Sequence, residues 1–131
     1  MELVLSRDVE DQRLSESIVR KYYELIDDQK IDEVLALFSN SATYVRCETT
    51  FSGIEEISGF YKNDRKIKGR HTINSLLAVG RNVVIEGNFV GTGVNGEAKN
   101  IRFADFFTLN TEEKIETRHT YLMIGSNYVR E

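Results

Sequence analysis

Residues 101–107, IRFADFF, alternate strictly as a β-strand does. Ile101, Phe103, Asp105 and Phe107 share one face, and Arg102, Ala104 and Phe106 share the other. The first face is the more apolar, and a carboxylate stands in its middle. Two phenylalanines beside Asp105 strip it of water, which favours the uncharged acid. The chemistry this allows is proton transfer: a neutral donor to a developing oxyanion, or a base, according to its partner. Pairing with Arg46, Arg102 or Arg118 would instead leave a charged carboxylate with no chemistry to do. His71 follows Arg70 at the start of another strand, and a free imidazole ionises at about pH 6.5, so it moves protons near neutrality. Tyr22 belongs to a tyrosine pair on a helix that faces a core, where a phenol packs and hydrogen-bonds. Cys47 is the only cysteine and reads as a small apolar filler.

These groups need elements to hold them. Residues 6–28 carry Val9, Leu14, Ile18, Tyr22, Leu25 and Ile26 at helical spacing, with Ser6 or Ser15 as the candidate cap. A second short helix spans KIDEVLALFS, with Ile31, Val34, Leu35 and Phe38 on one face. NSATYVRCETTFSG reads as two short strands about a polar bend, and IEEISGFYKND as a third short helix. Four long strands come next: HTINSLLAV, NVVIEGNFVGTGV, AKNIRFADFFTL and KIETRHTYLMIG. Their connectors, GRN, NGE and NTEE, are hairpin turns in kind, so the sheet is antiparallel. Gly87, Gly91, Gly93 and Gly96 lack phosphate-loop spacing and fit a bent or bulged strand pair. Three helices before a curved antiparallel sheet make an α+β domain, a cone with helices across its open side. Asp105 points into that cone or into the core beside it.

The bulk numbers narrow the class. With 131 residues, 40% hydrophobic and 29% charged, the chain forms one domain over 1–131 with a substantial core. A net charge of −4 lacks the basic footprint that nucleic acid or an anionic membrane surface requires. One cysteine allows no internal disulfide and no Cys-type zinc site, which fits a reducing cytoplasm. The first residues carry no signal-peptide pattern, and no apolar run reaches membrane-helix length. His71 and His119 sit far apart with no carboxylate in a ligand motif, and no nucleotide fingerprint appears, so neither metal nor cofactor is expected.

Four segments carry a resemblance: RKYYELIDDQKIDEVLALFSNSATY, FSGIEEISGFY, RHTIN and RFADFFTLNTEEKIETRHTY. Together they resemble the nuclear transport factor 2-like superfamily, in its SnoaL-like and ketosteroid isomerase-like branch, over about residues 14–124. The resemblance implies a cystatin-like cone and a small-molecule pocket. Matched to ketosteroid isomerases, Tyr22 and Asp105 fall on the oxyanion-hole tyrosine and aspartate. In those enzymes an apolar site keeps that aspartate protonated and neutral. Arg46 falls where those enzymes carry their aspartate base; a guanidinium cannot accept a proton but can hold a carboxylate, phosphate or enolate. The last-strand aspartate of limonene epoxide hydrolases falls on Thr120. In scytalone dehydratases, a histidine and an aspartate match His71 and Asp27, a general base oriented by a carboxylate.

The resemblance therefore implies Asp105, His71 and Tyr22 as catalytic candidates, with Arg46, Arg118, Thr120, Phe103 and Phe107 in contact with the ligand. It sends the face of Arg118, Thr120 and Leu122 toward the cavity. His119 and Tyr121 face outward, toward a second copy in a homodimer. Two functions are open. One is a cofactor-independent isomerase, cyclase or dehydratase acting on a small apolar carbonyl or hydroxyl compound. The other is a ligand-binding or dimerisation domain without catalysis. An uncharged Asp105 near His71 speaks for the first, and an Asp105 locked to arginine speaks for the second.

Overall fold

The computed structural model describes the backbone of residues 2–126 and the side chains of residues 9–126. Helix α1, Glu2–Asp27, buries Val19, Tyr22, Tyr23 and Ile26, a stripe at intervals of three and four. Neither expected serine caps it: Ser6 lies within the helix, and Ser15 is buried mid-helix with its hydroxyl donating to the Gly80 carbonyl at 3.0 Å. The helix ends at a left-handed Gln29, φ 61°. The Gln29 and Lys30 amides turn back to the Ile26 and Leu25 carbonyls, at 3.1 and 3.0 Å. This closure fixes Asp27 at the last helical turn.

Helix α2 is short, Ile31–Ala36, and the chain enters β1, Phe38–Arg46, directly after it. Cys47, at φ 53°, makes the bend into β2, Thr49–Ser52. Helix α3, Gly53–Gly59, runs into a single π-helical turn at Phe60–Asp64. That turn buries both Phe60 and Tyr61. Wider turns of this kind recur at functional sites.

The four long strands are β3, Lys68–Val79; β4, Asn82–Thr92; β5, Ala98–Leu109; and β6, Ile115–Leu122. They pair as consecutive antiparallel neighbours. The full order is β2-β1-β6-β5-β4-β3, and β1 lies parallel to β6. The sheet is thus mostly antiparallel, with one parallel pair made by the long return from the first strand to the last. Asn74 is an extra residue in β3, between the Ile73–Gly87 and Ser75–Glu86 pairs. The bulge flips the side-chain parity, so His71 and Ile73 face inward before it, Leu76 and Ala78 after it.

Two glycines let the sheet curl at that end. A side chain on Gly91 would meet the Lys68 carbonyl at 2.1 Å, and one on Gly87 would meet the Thr72 carbonyl at 2.4 Å. The result is an α+β cone. Helix α1 crosses the inner face at β3 and β4, and α3 packs against β1. The core lies between them, built on Val19, Ile26, Val34, Ile57, Ile85 and Ile115, all fully buried. No helix among the described residues is long and apolar enough to cross a membrane.

Candidate functional site

Strand register brings the polar residues together inside the cone. Asp105 lies opposite Thr120, and Thr120 lies beside Arg46 of the parallel strand β1. One step along, Phe107 lies opposite Arg118, and Arg118 lies beside Tyr44. Asp105 and Arg118 are therefore diagonal neighbours on one face, within reach of a long side chain.

They form a buried ion pair. Arg118 Nη2 donates to Asp105 Oδ2 at 2.9 Å, with both side chains almost wholly enclosed. The Tyr23 hydroxyl also donates to Oδ2, and the Thr120 hydroxyl donates to Oδ1. The Tyr44 hydroxyl lies 3.2 Å from the Thr120 oxygen. Asp105 is fully buried and has a charged partner and two hydroxyl donors. In place of a lone acid among apolar neighbours, the structure has a carboxylate paired with Arg118 and enclosed by hydroxyl donors.

Arg118 is the hub. Its Nη1 donates to the Tyr22 and Tyr61 hydroxyls, at 2.5 and 2.8 Å. Its guanidinium carbon lies 4.5 Å from the Tyr22 ring centroid and 4.7 Å from that of Tyr44. Burial works against its charge, but Asp105 and the phenol oxygens more than offset this and hold the group cationic. Its Nε is buried without a partner among the described residues.

The Tyr22 and Tyr61 oxygens are 2.6 Å apart. Arginine is donor-only, so Arg118 occupies acceptor positions on both. One phenol donates to the other, and the second keeps a free hydroxyl proton. Tyr22 lines the cavity, so donation by Tyr61 leaves the Tyr22 proton for a ligand oxygen. Burial pushes the Tyr22 and Tyr44 phenols up to about 12 and those of Tyr23 and Tyr61 well above the usual range. All four stay neutral donors at physiological pH.

A second cluster stands at the edge strand. Asp27 Oδ1 lies 2.5 Å from His71 Nδ1, and Asp27 Oδ2 accepts the His71 backbone amide at 2.9 Å. The two side chains are 7% and 10% exposed, so the pair is shielded but not sealed. A carboxylate only accepts, so the shared proton sits on Nδ1; in the neutral tautomer this leaves the Nε2 lone pair free. Among the described residues Nε2 has no protein partner, yet it is not a sealed, orphaned atom. The imidazole packs against Tyr23, Phe89 and Phe103, with ring centroids 4.9 to 5.4 Å away.

Both clusters meet one cavity. Its walls include Tyr22, Tyr44, Arg46, Arg65, His71 and Arg118, with Thr120 and the apolar Phe60, Phe89, Phe103 and Leu122. The cavity volume is about 40 Å³. The cavity is therefore narrow, and any ligand larger than a few atoms parts its walls. Asp105 and Phe107 are not among the wall residues; both sit behind them in the core. Arg65, Ile67 and Phe89 line the cavity too, although no motif in the sequence marks them. Arg65 lies in a charged run that reads as a solvated loop. Among the described residues no three His, Cys, Asp or Glu side chains gather as a metal set.

A cone of this topology around a polar, aromatic-walled cavity defines a nuclear transport factor 2-like protein. The chain belongs to the SnoaL-like domain family, which it matches over residues 19–117. Among solved structures, it resembles the epoxide hydrolase/cyclase-like enzyme SalBIII of pyran ring formation in polyether salinomycin. The TM-score is 0.79 at 19% identity, over 87% of this chain and 94% of that one. It also resembles an NTF2-like protein of unknown function from Burkholderia pseudomallei, with TM-score 0.76 and 18% identity over 89% and 95%. A third is a protein of ketosteroid isomerase-like fold from Catenulispora acidiphila, solved with trimethylamine. There the TM-score is 0.71 at 24% identity, over 83% and 87%. No curated protein matches the sequence. These likenesses establish the fold.

Proposed function

We propose that the chain is a cofactor-independent acid–base enzyme, an isomerase or dehydratase working on a small, largely apolar carbonyl compound. The observation that carries this reading is the Asp27–His71 pair, with Nε2 free at the cavity wall. Nε2 removes a proton from the carbon beside a carbonyl; the C–H electrons move into the enolate, and its oxygen takes the Tyr22 hydrogen bond. Return of the proton at another carbon completes an isomerisation. Loss of a β-hydroxyl as water, with that proton, completes a dehydration. Asp105 is a positioning residue here: it holds Arg118, and Arg118 holds Tyr22 and Tyr61.

The test is hydrogen–deuterium exchange at the α-carbon of a ketone panel in heavy water, monitored by proton NMR. Wild-type protein accelerates exchange, and His71→Asn abolishes the acceleration. Acceleration that survives His71→Asn contradicts the assignment.

A second reading, a ligand-binding or assembly domain without catalysis, draws on the Asp105–Arg118 pair, which ties the central carboxylate to structure. Both readings include a homodimer through the outer sheet face. Leu77, Val84, Phe106, His119 and Val45 fall in one cross-strand row there, and exposed Tyr121 packs edge-on to Phe106. Sedimentation at micromolar concentration tests it, and a monomer there rejects it. A cytoplasmic setting is in keeping with the exposed, unpaired thiol of Cys47.

A further inference from the structure

Most arginines on the outside of the described structure have a carboxylate partner. Arg20 pairs with Glu16, Arg70 with Asp28, Arg81 with Asp11 and Arg102 with Glu86. The two half-buried arginines at the cavity wall do not. Among the described residues the Arg46 side chain has no hydrogen bond and no ion pair; its guanidinium lies over the Phe60 ring, 5.5 Å from the centroid. The Arg65 guanidinium makes one hydrogen bond, to the Ile67 carbonyl at 3.2 Å, and meets no carboxylate among the described residues. Among the described residues the walls contain no aspartate or glutamate. The third cavity arginine, Arg118, is already neutralised by Asp105. A chain with net charge −4 thus collects, at one partly desolvated place, two guanidinium groups that no carboxylate among the described residues compensates.

We infer that Arg46 and Arg65 bind the carboxylate of an otherwise apolar acid, whose hydrocarbon body lies against Phe60, Phe89, Phe103 and Leu122. Guanidinium forks match a carboxylate in plane and charge, and partial burial strengthens the contact over its value in water. The anion stays with these two groups because the remaining cation of the cavity is already paired. The inference rests on the enzymatic reading only for the step after binding: it makes the carbonyl substrate an acid, anchored by its carboxylate and reacting at His71.

Phenylacetate and its neutral counterpart phenylacetamide, titrated by calorimetry into the full chain, provide the test. Phenylacetate binds at least about tenfold more tightly than the amide, and its affinity falls as potassium chloride rises. The double variant Arg46→Gln/Arg65→Gln loses this preference, binding phenylacetate no more tightly than the amide, and still unfolds cooperatively. No phenylacetate binding, equal affinity for the two probes, or an undiminished preference in the double variant overturns the inference. The α-carbon exchange assay separates it from the enzymatic reading. Phenylacetate binding without any exchange activity leaves the carboxylate site standing and removes the enzyme. Exchange on neutral ketones with no carboxylate preference does the reverse.

Discussion

Asp27 grips His71 at two points: one carboxylate oxygen faces Nδ1 at 2.5 Å, and the other accepts the His71 backbone amide at 2.9 Å. The second contact anchors the strand that carries the imidazole, so ring and backbone are positioned by one side chain. Replacing Asp27 with Asn keeps the shape but removes the charge that selects the Nδ1–H tautomer and steadies the imidazolium. The expected result is a roughly 10²- to 10⁴-fold loss of α-carbon exchange activity, with secondary structure intact by circular dichroism. Unchanged activity contradicts the dyad.

Asp105→Asn leaves the buried Arg118 cation without its counter-ion. Breaking a buried pair in this way costs about 3–5 kcal/mol. Urea unfolding should show that loss, and the double variant Asp105→Asn/Arg118→Met should recover part of it. A single variant as stable as wild type would show that the pair carries no weight in folding.

Tyr22→Phe removes the hydroxyl proton that faces the cavity and leaves Tyr61 bound to Arg118. Loss of one oxyanion donor lowers turnover by about 10²–10³-fold, with a smaller effect on substrate affinity. Tyr61→Phe acts through Tyr22 and should cost less. If Tyr61→Phe is the more damaging of the two, the free proton is on Tyr61.

The buried phenols make stability depend on alkaline pH. Their folded-state pKa values are raised, to about 12 for Tyr22 and Tyr44. An unfolded tyrosine ionises at about pH 10. Between these values the unfolded chain has released protons that the folded chain still holds, so stability falls as pH rises. The contribution is complete below about pH 10 and declines by about 1.4 kcal/mol per pH unit for each such phenol. Denaturant titrations from pH 9 to 11, with phenolate absorbance in the folded state, check this. Full tyrosine ionisation in folded protein at pH 11 would disprove burial of the cluster.

Much of this was legible in the sequence because local pattern carries it. Of the helical spacing read over residues 6–28, Tyr22, Leu25 and Ile26 are buried on α1, while Val9 and Leu14 are exposed and Val19 and Tyr23 complete the buried face; strand alternation puts Phe103, Asp105 and Phe107 on the inner face. Depth inside the cone is another matter. Alternation cannot distinguish Phe103 at the cavity from Phe107 behind it, since both share parity. The parallel β1–β6 pair leaves no turn signature, so the sequence does not place Arg46 in one row with Thr120 and Asp105. Adjacent tyrosines lie about 100° apart on a helix, and it is Tyr23 that reaches Asp105 while Tyr22 meets Arg118. Arg65 had no signal at all: its place depends on the π turn at Phe60–Asp64, which sequence pattern does not encode.

The role proposed for His71, a base facing the cavity, has a direct signature in its imidazole nitrogen shifts. In uniformly ¹⁵N-labelled protein above neutral pH, long-range proton–nitrogen correlation spectra distinguish the two tautomers. The account predicts Nδ1 as the protonated, pyrrole-type nitrogen and Nε2 as the bare one, with the order lost in Asp27→Asn. An Nε2–H tautomer in the wild-type protein would leave no lone pair facing the cavity and would contradict the account.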